Sequence, residues 1–349
     1  MAIGEMAAAA GTKKKLVRRL KRDYSQNLRR TAQALFLALN VWIGVEFVLF
    51  VRHYETAGAS VWVQRPPGVE GWLPIASLMN LKVLLMTGEV PRLHPAGMFL
   101  LIAFVSISFL FRKAFCSWLC PVGSVSEWLW KFGRSTFRRN FFLPRWADIG
   151  LRSLKYILLG LFLYAVGSMS VEGIRAFLEG PYGVISDVKM LNFFRFLGVT
   201  GAMVLGVLIL ASVFYQNFWC RYLCPYGALL GLVAKISLSR IRRAPDLCVD
   251  CGKCAKVCPS QLAVDKLVTI GSAECTGCLE CVAACPAESA LVFSLPRKRA
   301  LPAWAMATGI AVLFFGIVGY AQWTGFWHTD VPAAVYQELI PRAHEYSHP

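Results

Sequence analysis

CVDCGKCAKVCP at residues 248–259 and CTGCLECVAACP at residues 275–286 decide how this chain is read. Both follow C-x2-C-x2-C-x3-C-P, a spacing suited to iron–sulfur ligation. A zinc ribbon or an unrelated cysteine-rich loop is the alternative, but zinc sites use four ligands each and rarely duplicate a triplet plus one. Pro259 and Pro286 follow the fourth cysteine of each set, where proline turns the chain away. Gly252 and Gly277 leave room for backbone beside a bulky inorganic core. A module of about 50 residues has little core of its own, so cofactor binding is expected to supply much of its stability.

This pattern resembles the bacterial two-cluster ferredoxins. The resemblance implies two [4Fe-4S] clusters, one on Cys248, Cys251, Cys254 and Cys285, the other on Cys275, Cys278, Cys281 and Cys258.

Outward from the module, the chain is a membrane protein by composition. It is 56% hydrophobic and 16% charged over 349 residues, against about 45–50% apolar in an ordinary soluble domain. Five apolar runs, at 31–51, 95–111, 153–171, 196–218 and 301–323, approach the roughly 20 residues needed to cross a bilayer. The run at 71–81 is too short to span. The first run follows 30 residues and has no small-residue cleavage site, so it reads as a retained helix. The net charge of +17 is unevenly placed. Segments 1–30, 112–155 and 216–300 carry nine, nine and eleven Lys/Arg, whereas 52–95 and 172–195 carry four and three. That alternation is the positive-inside pattern and needs no nucleic-acid partner. It expects a cytoplasmic N-terminus and, after five crossings, an outer C-terminus. All twelve cysteines then fall on the cytoplasmic side, where reducing conditions favour metal ligation over disulfides.

The expected organisation is a basic segment (1–30), a membrane helix pair (31–120), a second pair (121–224), the ferredoxin-like module (246–295), a fifth transmembrane helix (301–323) and an extracytoplasmic tail (324–349). Each pair ends in a CxxxCP motif: FCSWLCP at 115–121 and WCRYLCP at 219–225, offset by 104 residues. Cysteines at i and i+4 share a helix face, so two such pairs facing one another would present four thiols. Three readings stay open for Cys116, Cys120, Cys220 and Cys224: a third metal or redox centre, redox-active thiols, or packing cysteines of the fold.

Two CxxxCP motifs after membrane helix pairs, followed by the dicluster module, resemble the NapH/NosR-type membrane ferredoxins over roughly residues 31–325. The resemblance implies a polytopic protein of the bacterial cytoplasmic membrane, with about five transmembrane helices and a cytoplasmic ferredoxin-like insert. It implies electron transfer between membrane quinol and a redox partner outside or within the membrane, such as a cytochrome or an iron–sulfur protein. The large flavin-binding outer domain of the nitrous-oxide regulators is missing from these residues.

Weaker features remain. Glu46 lies inside the first run, and His53 and His94 at the outer face, as proton acceptors for quinol or as ordinary helix-end residues. His328, His344 and His348 fall in the tail, as metal or haem ligands or as a solvated segment. Trp42, Trp118, Trp219, Trp304 and Trp323 are expected in an interfacial aromatic belt. There is no C-x2-C-H for attached haem and no phosphate-binding glycine loop. Two function classes result: an electron-transfer subunit, or a sensing or maturation factor for a respiratory metalloenzyme. Rapid quinol-dependent reduction of the clusters distinguishes the first from the second.

Overall fold

A computed structural model describes residues 17–19, 23–138, 140–296 and 299–348; most of the basic segment 1–30 lies outside the described residues. The chain is mainly helical. In order the helices are α1 (Ser25–Glu55), α2 (Pro74–Thr87), α3 (Pro95–Phe111), α4 (Ala114–Trp118), α5 (Pro121–Phe137), α6 (Arg145–Ser168), α7 (Val171–Glu179), α8 (Pro181–Val184), α9 (Ser186–Arg195), α10 (Val199–Phe214), α11 (Pro225–Lys235), α12 (Lys253–Lys256), α13 (Glu280–Ala283), α14 (Ala303–Trp323) and α15 (Ala333–Leu339). A π-turn at Trp219–Leu223 precedes α11.

Three helices, α1, α6 and α14, are long and apolar enough to cross a membrane, or four if α9 and α10, bent by 82°, count as one span. The other expected crossing, α3, has 17 residues and is apolar on every side, with no polar stripe to face water. Its burial explains that composition. From Ala96 to Phe111 it is covered by α2, α11 and α14, and it forms the axis of the main hydrophobic core. α1, α3 and α14 all run from the ferredoxin-like module at one end to a cap at the other. In that cap Phe50 and Tyr54 of α1 pack on Tyr336 of α15, so the tail is a packed element and not a solvated segment.

The module carries a three-stranded antiparallel sheet in the order β2 (Thr269–Ile270), β1 (Arg240–Arg243), β3 (Leu291–Ser294), with Ile241 opposite both Ile270 and Phe293. These side chains join Phe104, Phe111 and Trp118 in one core, so the module is continuous with the helices. Arg112 is fully buried and donates to the carbonyls of Ala234 and Ser272. Trp118 belongs to this joint rather than to an interfacial belt: it is 1% exposed and its indole N–H reaches the Gly277 carbonyl at 3.2 Å. Gly277 has φ 63°, and a Cβ there would press to 3.0 Å from the Phe111 carbonyl oxygen. Both the turn and the close approach require glycine. At the base of α1, Arg29 makes a bidentate pair with Glu127 (2.6 and 2.7 Å) and reaches Glu280 of the module at 2.9 Å.

Candidate redox site

The two CxxxCP motifs do not sit on unbroken helices. Cys116 is in the one-turn helix α4, and Cys120 follows it as the N-cap of α5, accepting from the Gly123 N–H at 3.4 Å. Cys220 is in the π-turn, and Cys224 caps α11, accepting from Gly227 N–H at 3.2 Å. The reason is proline. Pro121 and Pro225 lack the N–H that a continuing helix needs, but they suit the first position of a new one. Each motif is therefore a helix break that swings its second sulfur onto a helix N-terminus. A Cβ on Gly123 would overlap the Cys116 carbonyl oxygen, so the first break tolerates no side chain there.

All four cysteines line a single cavity of about 1220 Å³. Its inner end is polar, with Lys113, Asn217, Arg221 and Glu274 beside the thiols. Its middle is walled by apolar side chains from α1, α2, α3, α6 and α14, among them Ile43, Ile75, Phe104, Leu159 and Phe314. Glu46, Arg65 and His328 line its outer part. Burial pushes the thiols above their ordinary range: Cys120 up to about 12, with Cys116, Cys220 and Cys224 also raised. The four act on one another electrostatically across the repeats. The structure thus brings together the thiols that the sequence offered as two separate pairs.

Cys278 also lines this cavity, next to Thr276 and Pro259. Behind it a small internal pocket is bounded by Cys258, Cys275, Cys278 and Cys281. Burial raises Cys258 to about 11 and Cys278 to about 12, and raises Cys281 as well. Cys285 faces Cys248, Cys251 and Cys254 instead. The donor sets fit iron–sulfur clusters: each is all thiol, and one surrounds an internal pocket. Among the described residues no three His, Cys, Asp or Glu stand close enough to share one ion. Exposure separates the groups. Cys275, Cys278 and Cys281 are buried, whereas Cys251 is exposed.

The other singled-out residues divide. His94 is 1% exposed and belongs to a buried ionic network, not to solvent. Its Nδ1 lies 3.7 Å from Glu70, and its Nε2 lies 2.9 Å from the Gly183 carbonyl. Arg65 is the hub of this network, donating to Glu70 at 2.7 Å and Asp187 at 2.8 Å. His53 bonds the Ser60 carbonyl, His344 is exposed, and His348 packs on Tyr182. Sequence reasoning missed the charged groups of the inner end. Lys155 is fully buried and grips Glu274 at 2.7 and 2.8 Å, with Lys113 at 3.8 Å. Two signals were present: a lysine inside an apolar run, and a carboxylate directly before Cys275.

Comparison with known proteins agrees with this geometry. A family described as "4Fe-4S binding domain" matches residues 93–140 and 197–244, one copy per CxxxCP repeat, and a "4Fe-4S dicluster domain" matches 240–286. The chain is 48% identical to the "Putative electron transport protein YccM" of Escherichia coli K12, over 90% of each chain. It is 30% identical to the "Ferredoxin-type protein NapH" of Haemophilus influenzae, over 52% of this chain and 62% of that one. It is 31% identical to the "Regulatory protein NosR" of Pseudomonas aeruginosa, over 52% of this chain and a quarter of NosR, 25%. No solved structure matches.

Proposed function

Because the chain belongs to the NapH/NosR-type membrane ferredoxin family, whose members are iron–sulfur electron-transport proteins, we propose that it carries electrons between quinol in the membrane cavity and a redox partner. Cys275, Cys278, Cys281 and Cys258 hold one [4Fe-4S] cluster, and Cys248, Cys251, Cys254 and Cys285 hold the second. Cys116, Cys120, Cys220 and Cys224 hold a third centre between the quinol and the module. When bound, these groups supply one-electron acceptor sites. The observation that carries the reading is the single cavity, apolar through its middle, that carries four cysteines and Cys278 at one end. An apolar cavity with polar groups gathered at its end suits a ring with a long isoprenoid tail. Lys113, Asn217 and Glu274 offer hydrogen bonds to the ring and the apolar walls exclude water, while Glu46 lines the opposite part of the cavity. Oxidation of one quinol yields two electrons and two protons. On this reading the membrane is the bacterial cytoplasmic membrane, crossed five times, with the module inside and the tail outside.

The test is a double-mutant comparison of Cys116→Ala and Cys220→Ala, scored by quinol-linked reduction of the module clusters. A shared centre predicts that either change alone abolishes the rate and that the pair adds nothing. Distant packing cysteines predict small effects that add within about 0.3–0.5 kcal/mol. Wild-type rates in the double variant, at normal protein levels, sink the proposal.

A further inference from the structure

Buried charge at the inner end of the cavity does not balance. Arg221 is matched by Asp148, which accepts from it at 2.8 and 2.9 Å and also pairs with Arg152 and Tyr222. Arg29 and Lys131 are matched by Glu127 and Glu280. Glu274 alone serves two ammonium groups. Lys155 takes both of its oxygens at hydrogen-bond distance, and Lys113 stands off at 3.8 Å. Lys113 is nevertheless 4% exposed. A buried ammonium without its own counter-charge is costly, so further negative charge is required nearby. What Lys113 does face is the cavity head: it lines it with all four CxxxCP cysteines, within electrostatic reach of Cys116 and Cys220.

We propose that Lys113 is the electrostatic tuning residue of the redox centre held by Cys116, Cys120, Cys220 and Cys224, its fixed positive charge raising that centre's reduction potential. The inference rests on the reading that those four thiols hold a centre. Four thiolates supply the negative charge that the lysines lack. One-electron reduction adds another negative charge to the same site, and a nearby buried cation stabilises the reduced form more than the oxidised one. Both lysines share Glu274 and both act on Cys116 and Cys224, Lys113 more strongly than Lys155. Lys113 also sits at the break between α3 and α4, three residues before Cys116. Its distance to the thiols is therefore set by the same backbone that positions them.

The experiment is a potentiometric titration of the full-length protein, purified anaerobically in mild detergent and followed by electron paramagnetic resonance. The signal to follow is the one that Cys116→Ala removes. Lys113→Met should shift it to lower potential by at least a tenfold change in the reduction equilibrium, 59 mV for a one-electron couple. Lys113→Arg should restore the wild-type value, and Glu274→Gln should shift it upward. If Lys113→Met does not accumulate, Lys113→Arg and Glu274→Gln still decide by position and sign. An intact signal at unchanged potential in Lys113→Met overturns the tuning role. So does a downward shift in Glu274→Gln. A wild-type protein with no signal dependent on Cys116 removes the underlying centre instead, and the proposal with it.

Discussion

Arg65→Met should destabilise the protein strongly and flatten its response to acid. Arg65 is 8% exposed and bridges two carboxylates, Glu70 at 0% and Asp187 at 1%. Burial alone would raise Glu70, but Arg65, then His94 and Thr329, outweigh it and hold the carboxyl at about 2 against an ordinary 4.5. At 1.36 kcal/mol for each power of ten, that depression corresponds to roughly 3 kcal/mol. Removing one partner of a buried pair costs about 3–5 kcal/mol, because the other charge stays behind. In the variant His94 still faces Glu70, while Asp187 keeps only the Val188 N–H at 2.8 Å. With an unfolding entropy of about 2.1 cal/mol/K per residue, the loss lowers Tm by about 4–7 °C. The sign with pH is the sharper readout. A depressed carboxylate contributes stability above its unfolded value that is lost as pH falls from 4.5 toward about 2, so the wild-type protein weakens across that window. His94, raised in the folded state by Glu70 against the cost of burial, is protonated in both states across that window. Without Arg65, its largest favourable partner, the Glu70 carboxyl returns toward its ordinary value, so the variant loses less stability than the wild type across the same window. Thermal unfolding of the detergent-solubilised proteins measures both effects. A Tm within 1 °C of wild type, or an identical pH response, would refute this account of the network.

Two further outcomes are expected. Cys278→Ala should remove or convert the cluster signal of the buried set while leaving that of the set containing Cys251, and Cys251→Ala should do the reverse; both signals lost in each variant would contradict the two groupings. A reporter active only outside the cytoplasm should work when fused after Pro349 and fail after Arg243, and the opposite pattern would place the module across the membrane.

The iron–sulfur family was legible in the sequence because cluster spacing is a local property. Three cysteines at two-residue intervals and a fourth before proline carry their chemistry wherever the module docks. The apolar runs were legible for the same reason, since composition alone decides what can face lipid. Three things were not local. The run at 95–111 looks like any other span, yet α3 is buried by its neighbours, and periodicity cannot distinguish burial in protein from burial in lipid. The i, i+4 spacing of Cys116 and Cys120 reads as one helix face, but Pro121 and Pro225 start new helices, so the thiols converge through broken turns. His94 reads as an outer-face residue, and only tertiary packing closes it into a network with Arg65, Glu70 and Asp187. The inner charges were missed because Lys113, Lys155 and Glu274 come from three separate segments and acquire meaning only through their shared pocket.

The 104-residue repeat accounts for why neither CxxxCP motif is a site alone. One break contributes Cys116 and Cys120, the other Cys220 and Cys224, and the cavity head needs both. The module then closes that head rather than hanging from it: Ser117 donates to the Thr276 carbonyl at 2.7 Å and Trp118 to Gly277 at 3.2 Å, so Cys278 is carried onto the cavity wall. On the proposed reading this arrangement orders the carriers by access to water. The four-cysteine site meets the apolar cavity, Cys275, Cys278 and Cys281 are buried behind it, and the other set has Cys251 exposed at the surface. A soluble partner approaching this end would therefore meet the last set first. The buried set would be its only route to the cavity, which makes loss of Cys278 the change that should uncouple quinol from any such partner while leaving both outer carriers intact.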